Sequence, residues 1–143
     1  MRALLFALAL AFATSSWASP SLAVDLAAED TAAIRAVVQS QLDAFQRDDK
    51  DAAFAYASPT IQDLFRTADV FMAMVRAGYQ PVYRPQTVSF QDIVTFRGAP
   101  TQRVLLVGPD GLAVMAYYLM ERQRDGTWRI AGCILEPIAD AQA

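Results

Sequence analysis

Apolar residues first recur with helical spacing at Ile34, Val37, Val38, Leu42 and Phe45, while Arg35, Gln39, Asp43 and Gln46 occupy the opposite side. Glu29, Asp30 and Thr31 supply capping groups and first-turn negative charge suited to the helix dipole. The run Asp48-Asp49-Lys50-Asp51 breaks this pattern and caps a second, short helix over 52–57. Ser58-Pro59 starts a third, with Pro59 at a first helical position and Ile61, Leu64 and Phe65 on one face. Thr67 caps a fourth, with Val70, Phe71, Met74 and Val75 inward and Gly78 placed to end it.

The texture changes at Tyr79. Pro81 and Pro85 flank Val82-Tyr83-Arg84, which reads as an extended connector. Four strand-like runs follow, 87–96, 101–107, 112–123 and 127–135, joined by Arg97-Gly98-Ala99-Pro100, Gly108-Pro109-Asp110-Gly111 and Arg124-Asp125-Gly126. Helices first and an antiparallel meander after them make an α+β domain, the N-terminal helices packed on one face of a curved antiparallel sheet.

The last hairpin can be registered from charge. A two-residue Asp125-Gly126 turn would set Arg122 against Arg129, an unfavourable like-charge pair. A three-residue turn with Gly126 left-handed sets Glu121 against Arg129 instead. That choice puts Tyr118, Met120, Trp128 and Ile130 on one face and Tyr117, Leu119, Ala131 and Cys133 on the other. Both faces are largely apolar, so the second face needs a cover; a homodimer through the sheet is the simplest one.

Positions 1–18 read as a cleavable signal peptide: Arg2, an apolar run over 3–13, and Ser16-Trp17-Ala18, with the cut expected after Ala18 and a second candidate after Ala23. The run is too short for the roughly 20 residues a bilayer requires, so no membrane anchor is expected after cleavage and the location is periplasmic or secreted. The expected layout is signal peptide 1–18, lead-in 19–28, one domain over 29–137 and a frayed tail over 138–143. The formal net charge of −3 becomes one unit more negative without Arg2, and the arginines are scattered, which argues against nucleic acid as a partner. One cysteine allows no internal disulfide, and zero histidines exclude Ser-His and Cys-His mechanisms and most zinc and copper sites. No cofactor and no metal are expected.

Met74-Val75-Arg76-Ala77-Gly78-Tyr79-Gln80-Pro81-Val82-Tyr83-Arg84-Pro85 resembles the central block of a bacterial domain-of-unknown-function family, the one numbered 4864. Asp125-Gly126-Thr127-Trp128-Arg129-Ile130-Ala131-Gly132-Cys133 resembles its closing strand, and the similarity runs over about 30–136. Helix order and the terminal Gly-x-Trp-x-Ile strand also resemble the nuclear-transport-factor-two-like, or cystatin-like, superfamily. That resemblance implies a cone in which a bent sheet wraps a long helix and leaves a pocket at its open end. The superfamily includes isomerases, dehydratases, polyketide cyclases, binding modules and accessory domains, so it implies no single reaction.

Four residues are candidates for a site. Asp92 interrupts an alternating apolar face of Val88, Phe90, Val94 and Phe96. Held among apolar groups it would have a raised pKa and serve as a general base; a bulge turning it to solvent, or pairing with Arg103, is the competing reading. Tyr79 and Tyr83 flank Pro81 where helices hand over to sheet, and either grip a small apolar ligand with a polar tip or close the core edge. Tyr117, with Arg103 and Glu121, lines either the pocket or the dimer face, and Arg76 is an anion candidate on the fourth helix. The acidic run at Asp48 lacks the glycine and ligand spacing of a calcium loop. Cys133 reads as a buried, inert thiol. These features favour a non-catalytic binding module for an apolar or amphipathic small molecule. The alternatives are an isomerase- or dehydratase-type enzyme with Asp92 as base, and a structural protein whose pocket is filled by Phe71, Phe90, Met72, Met74 and Met115.

Overall fold

The computed structural model describes residues 26–138, so the expected signal peptide, most of the lead-in and the tail beyond Ile138 lie outside the described residues. Five helices precede a four-stranded sheet: α1 (Ala28–Gln46), α2 (Lys50–Ala55), α3 (Pro59–Phe65), α4 (Ala68–Gly78), α5 (Gln80–Tyr83), β1 (Thr87–Phe96), β2 (Ala99–Val107), β3 (Ala113–Arg122) and β4 (Trp128–Pro137). The strands form an antiparallel meander in the order β1-β2-β3-β4, and the helices pack on one of its faces, which is the expected α+β architecture.

The helix boundaries follow local chemistry. Asp49, Ser58 and Thr67 cap α2, α3 and α4, accepting from the backbone N–H of Ala52, Ile61 and Val70. At α1 Glu29 and Asp30 do supply negative charge in the first turn, but the expected side-chain cap is absent and the helix begins earlier, after Ala27. Asp30 is used elsewhere, accepting from Trp128 Nε1 at 3.2 Å and facing Arg122 at 3.5 Å, so it fastens the start of α1 to the β3–β4 hairpin. The connector over 79–85 is not fully extended either. Pro81 sits in the first turn of α5, where a missing N–H costs nothing. In α4, Val70, expected inward, points outward at 52% exposure, and Met72, not among the residues expected inward, is buried in the core.

The core is built between α1 and the inner sheet face. Ile34, Val38, Leu42 and Phe45 are buried along α1, against Val104, Leu106, Ala116, Tyr118, Met120, Trp128 and Ile130 of the sheet. Truncating one of these, such as Leu42→Ala, is worth about 2–5 kcal/mol by the usual transfer and cavity terms. Glu121 faces Arg129 as expected, and Gly126, at φ +87°, closes the three-residue turn. The β1–β2 turn is shorter than expected: Arg97 and Gly98, at φ +51° and +77°, are the only residues between Phe96 and Ala99.

Two bulges set which side chains face inward. In β1 the register shifts between Phe90 and Ile93, and the buried Gln102 amide donates to the Gln91 carbonyl at 2.7 Å. In β4, Ala131 is the extra residue opposite the Leu119–Met120 step. The parity after it is reversed, so Cys133 pairs with Tyr118 and faces the core side, not the face it was expected to share with Tyr117 and Leu119. The outer face carries Val94, Phe96, Leu105, Val107, Met115, Tyr117, Leu119 and Ile134, all half-buried.

Candidate functional site

A cavity of about 380 Å³ opens between α3, α4 and the β3–β4 edge. Its position follows from a short splice in the chain. Ala57 forms a parallel bridge with Ile130, through Ser58 N–H to the Ile130 carbonyl at 2.8 Å and Ile130 N–H to the Tyr56 carbonyl at 2.9 Å. The splice covers part of the β4 edge and delivers α3 beside it. No residue of α3 is buried, and its apolar face of Ile61, Leu64 and Phe65 lines the cavity, with Leu64 68% exposed. A helix whose apolar stripe faces a cavity leaves that stripe available to an apolar guest.

The polar groups in the lining are few. Gln41, buried on α1, donates through Nε2 to the Ala53 carbonyl at 3.0 Å. Tyr79, at the junction of α4 and α5, donates its hydroxyl to the Cys133 carbonyl at 3.2 Å, and partial burial raises its pKa. The Cys133 thiol is pushed up to about 12 by burial, so it is protonated and unreactive at neutral pH. Tyr118 is fully buried, desolvation holds its pKa well above the ordinary value, and its hydroxyl has no hydrogen-bond partner. Arg97, from the β1–β2 turn, is the charged residue of the lining among the described residues.

The four sequence candidates are not gathered in one place. Tyr79 lines the cavity. Tyr83 lies outside it, in a charged cluster where its hydroxyl donates to Asp48. Arg84 stacks 3.9 Å from the centre of the Tyr83 ring, reaches Asp48 at 2.9 Å and donates to the Phe45 carbonyl at the end of α1 at 2.6 Å. Arg76 of α4 adds a contact of 3.5 Å to Asp48. The Tyr83 hydrogen bond, followed by the Arg84 charge, holds the Asp48 carboxyl below its ordinary range. This cluster ties the end of α1 to α4 and α5, and so indirectly holds Tyr79 in the cavity wall.

Asp92 and Tyr117 do not line the cavity. The β1 bulge leaves the Asp92 side chain 59% exposed, and Arg103 grips it with Nε at 2.7 Å and a second nitrogen at 2.6 Å. The apolar surroundings that would have made Asp92 a base are absent, because the bulge rotates it off the apolar stripe. Tyr117 packs on Phe96, ring centres 5.7 Å apart. Of the expected pocket fillers, Met72 is consumed in the core, Phe90 packs against the core away from the cavity, Met115 faces outward, and Phe71 and Met74 line the cavity without filling it.

Sequence reasoning grouped Tyr118 with Met120, Trp128 and Ile130 on one face but attached no role to it. The available signal was the Tyr117-Tyr118 pair itself: on an alternating strand one phenol of such a pair must enter the core, where its hydroxyl needs a partner. The described residues hold no group of three or more acidic, histidine or cysteine side chains placed to bind a metal, and no helix among them is long and apolar enough to cross a membrane.

Residues 27–143 match the family described as Domain of unknown function (DUF4864), and the chain belongs to that family. Neither the curated proteins nor the solved structures include one that matches it.

Proposed function

We propose that this family member is an exported, non-catalytic binding module that holds an apolar or amphipathic small molecule in the cavity between α3, α4 and β4. The observation that carries the reading is the open cavity of about 380 Å³ walled by the unburied apolar face of α3. Sites for small ligands are concave, mostly apolar and about 300–1,000 Å³, so this one suits a small guest. Helices followed by a meander, with a cavity between them, also support placement in the nuclear-transport-factor-two-like superfamily. Export rests on the N-terminal sequence pattern. The isomerase alternative lacks support in the geometry, since Asp92 does not line the cavity and is held by Arg103.

The second copy expected at the outer face belongs to the same proposal. Four strands of about ten residues present on the order of 600 Å² of flat area. Side-chain relief brings that near the roughly 800 Å² per partner of specific interfaces. Native mass spectrometry on chain purified from the periplasm without refolding tests both parts. A persistent extra small-molecule mass supports the binding module, and a bare chain counts against it. A dimer that Leu105→Arg converts to monomer supports the sheet interface, whereas a monomeric wild type removes it.

A further inference from the structure

The cavity lining carries one charge, and that charge has no counter-ion. Arg97 is the single ionised residue among those that line it; the others are apolar or carry neutral amide, phenol and thiol groups. Arg103 and Arg122, on the neighbouring strands, meet Asp92 at 2.6 Å and Asp30 at 3.5 Å. Among the described residues Arg97 enters no ion pair, and its guanidinium lies 5.1 Å from the centre of the Phe96 ring.

The backbone at this position does not call for an arginine. Arg97 and Gly98, at φ +51° and +77°, form the two-residue β1–β2 turn, and left-handed dihedrals at both positions suit Asn, Asp or Gly. Strain accepted at a single residue beside a cavity points to a use for its side chain. Because Arg97 is exposed and also lines the cavity, it marks the rim, where a charged head keeps part of its hydration while its body enters the apolar interior. We infer that the cavity takes an amphipathic monocarboxylate, its alkyl body against the apolar face of α3 and its head on the Arg97 guanidinium. The fork of N–H donors matches a carboxylate, and one cation balances one negative charge. At about 30 Å³ for a water-sized group, the 380 Å³ cavity holds on the order of a dozen heavy atoms, the size of a ten-carbon carboxylate. The inference rests on the binding reading above and specifies the ligand class of that same cavity.

Three probes that share one body and differ in the head separate the outcomes: decanoate, decanol and decylammonium, each titrated by calorimetry at neutral pH into chain purified without refolding. Decanoate is expected to bind about fivefold tighter than decanol, and decylammonium to bind weakest. Arg97→Asn removes the charge and places in the turn a residue that its dihedrals favour, so the fold is expected to survive, as circular dichroism checks. That variant is expected to bind decanoate about fivefold or more weakly and decanol as the unaltered chain does. If decanol binds as tightly as decanoate in the unaltered chain, the inference fails without recourse to any variant, and the binding reading stands. Decylammonium binding as tight as decanoate also overturns it. A decanoate preference that persists unchanged in Arg97→Asn, or an equal loss of decanoate and decanol, overturns the assignment to Arg97. If none of the three binds, the binding reading falls and this inference falls with it.

Discussion

Replacing Tyr118 by phenylalanine removes a single oxygen from the middle of the core and leaves the ring in place. In most proteins that change costs stability, because a buried tyrosine hydroxyl is hydrogen-bonded. Here the hydroxyl is fully buried and has no partner, so its removal relieves a desolvation penalty of about 1–3 kcal/mol. The void left by one oxygen, on the order of 10–15 Å³, returns about 0.3 kcal/mol of that at the usual cost of cavity volume. The net expectation for ligand-free chain is a gain of about 1–2 kcal/mol, or about 5 °C in Tm for a domain of this size. Urea denaturation at neutral pH with an unchanged slope measures it, on chain shown by native mass spectrometry to carry no guest. A loss of about 1 kcal/mol or more would refute the reasoning, since it would mean that the hydroxyl is bonded within the folded chain.

Three other expectations test separate parts of the structure. The Asp48 carboxyl is held below its ordinary value of 3.8, chiefly by the Tyr83 hydroxyl, so the stability it contributes is complete above that pH and lost as pH falls through the lowered folded value. Asp48→Asn should flatten the acid limb of a Tm–pH profile, and an identical limb in the two proteins would argue against the cluster. The Cys133 thiol is raised from 9.0 to about 12 by burial, so its contribution is complete below about pH 9 and lost as pH rises toward 12. At pH 8 a disulfide reagent should therefore label it far more slowly in native than in unfolded chain, and equal rates would contradict the burial. At Gly108 an added Cβ would sit 3.0 Å from Asp110 Oδ1 and 3.2 Å from Pro81 Cγ, so Gly108→Ala should cost about 1–3 kcal/mol by overpacking, read from the urea midpoint.

Much of the architecture is legible along the chain because it is set by short-range chemistry. The caps at Asp49, Ser58 and Thr67, the left-handed glycine at Gly126 and the Glu121–Arg129 register depend on residues a few positions apart. Alternation groups Tyr118, Met120, Trp128 and Ile130 on one face for the same reason, and the packing of the helices makes that face the inner one. The connector over 79–85 shows the limit of such rules: proline disfavours helix in general, yet Pro81 opens a helical turn once α4 positions it there.

The site was less legible, and the cause is parity. Tyr79 was identified because it stands at the handover from helix to sheet, which composition marks. Tyr83, three residues beyond Gln80, was drawn away by Asp48, Arg76 and Arg84, partners that only the packing of α1 against α4 and α5 brings together. One extra residue in each of two strands moved Asp92 to solvent and Cys133 to the core side, because a shift of one residue reverses every side chain beyond it. The amino-acid sequence thus determined the elements, their order and the shared face of Tyr118, Met120, Trp128 and Ile130, all governed by neighbours in the chain. Only tertiary structure decided that the apolar face of α3 stays open as a cavity wall and that the Tyr118 hydroxyl ends without a partner. Both depend on how closely segments distant in sequence approach one another, and no local periodicity records that distance.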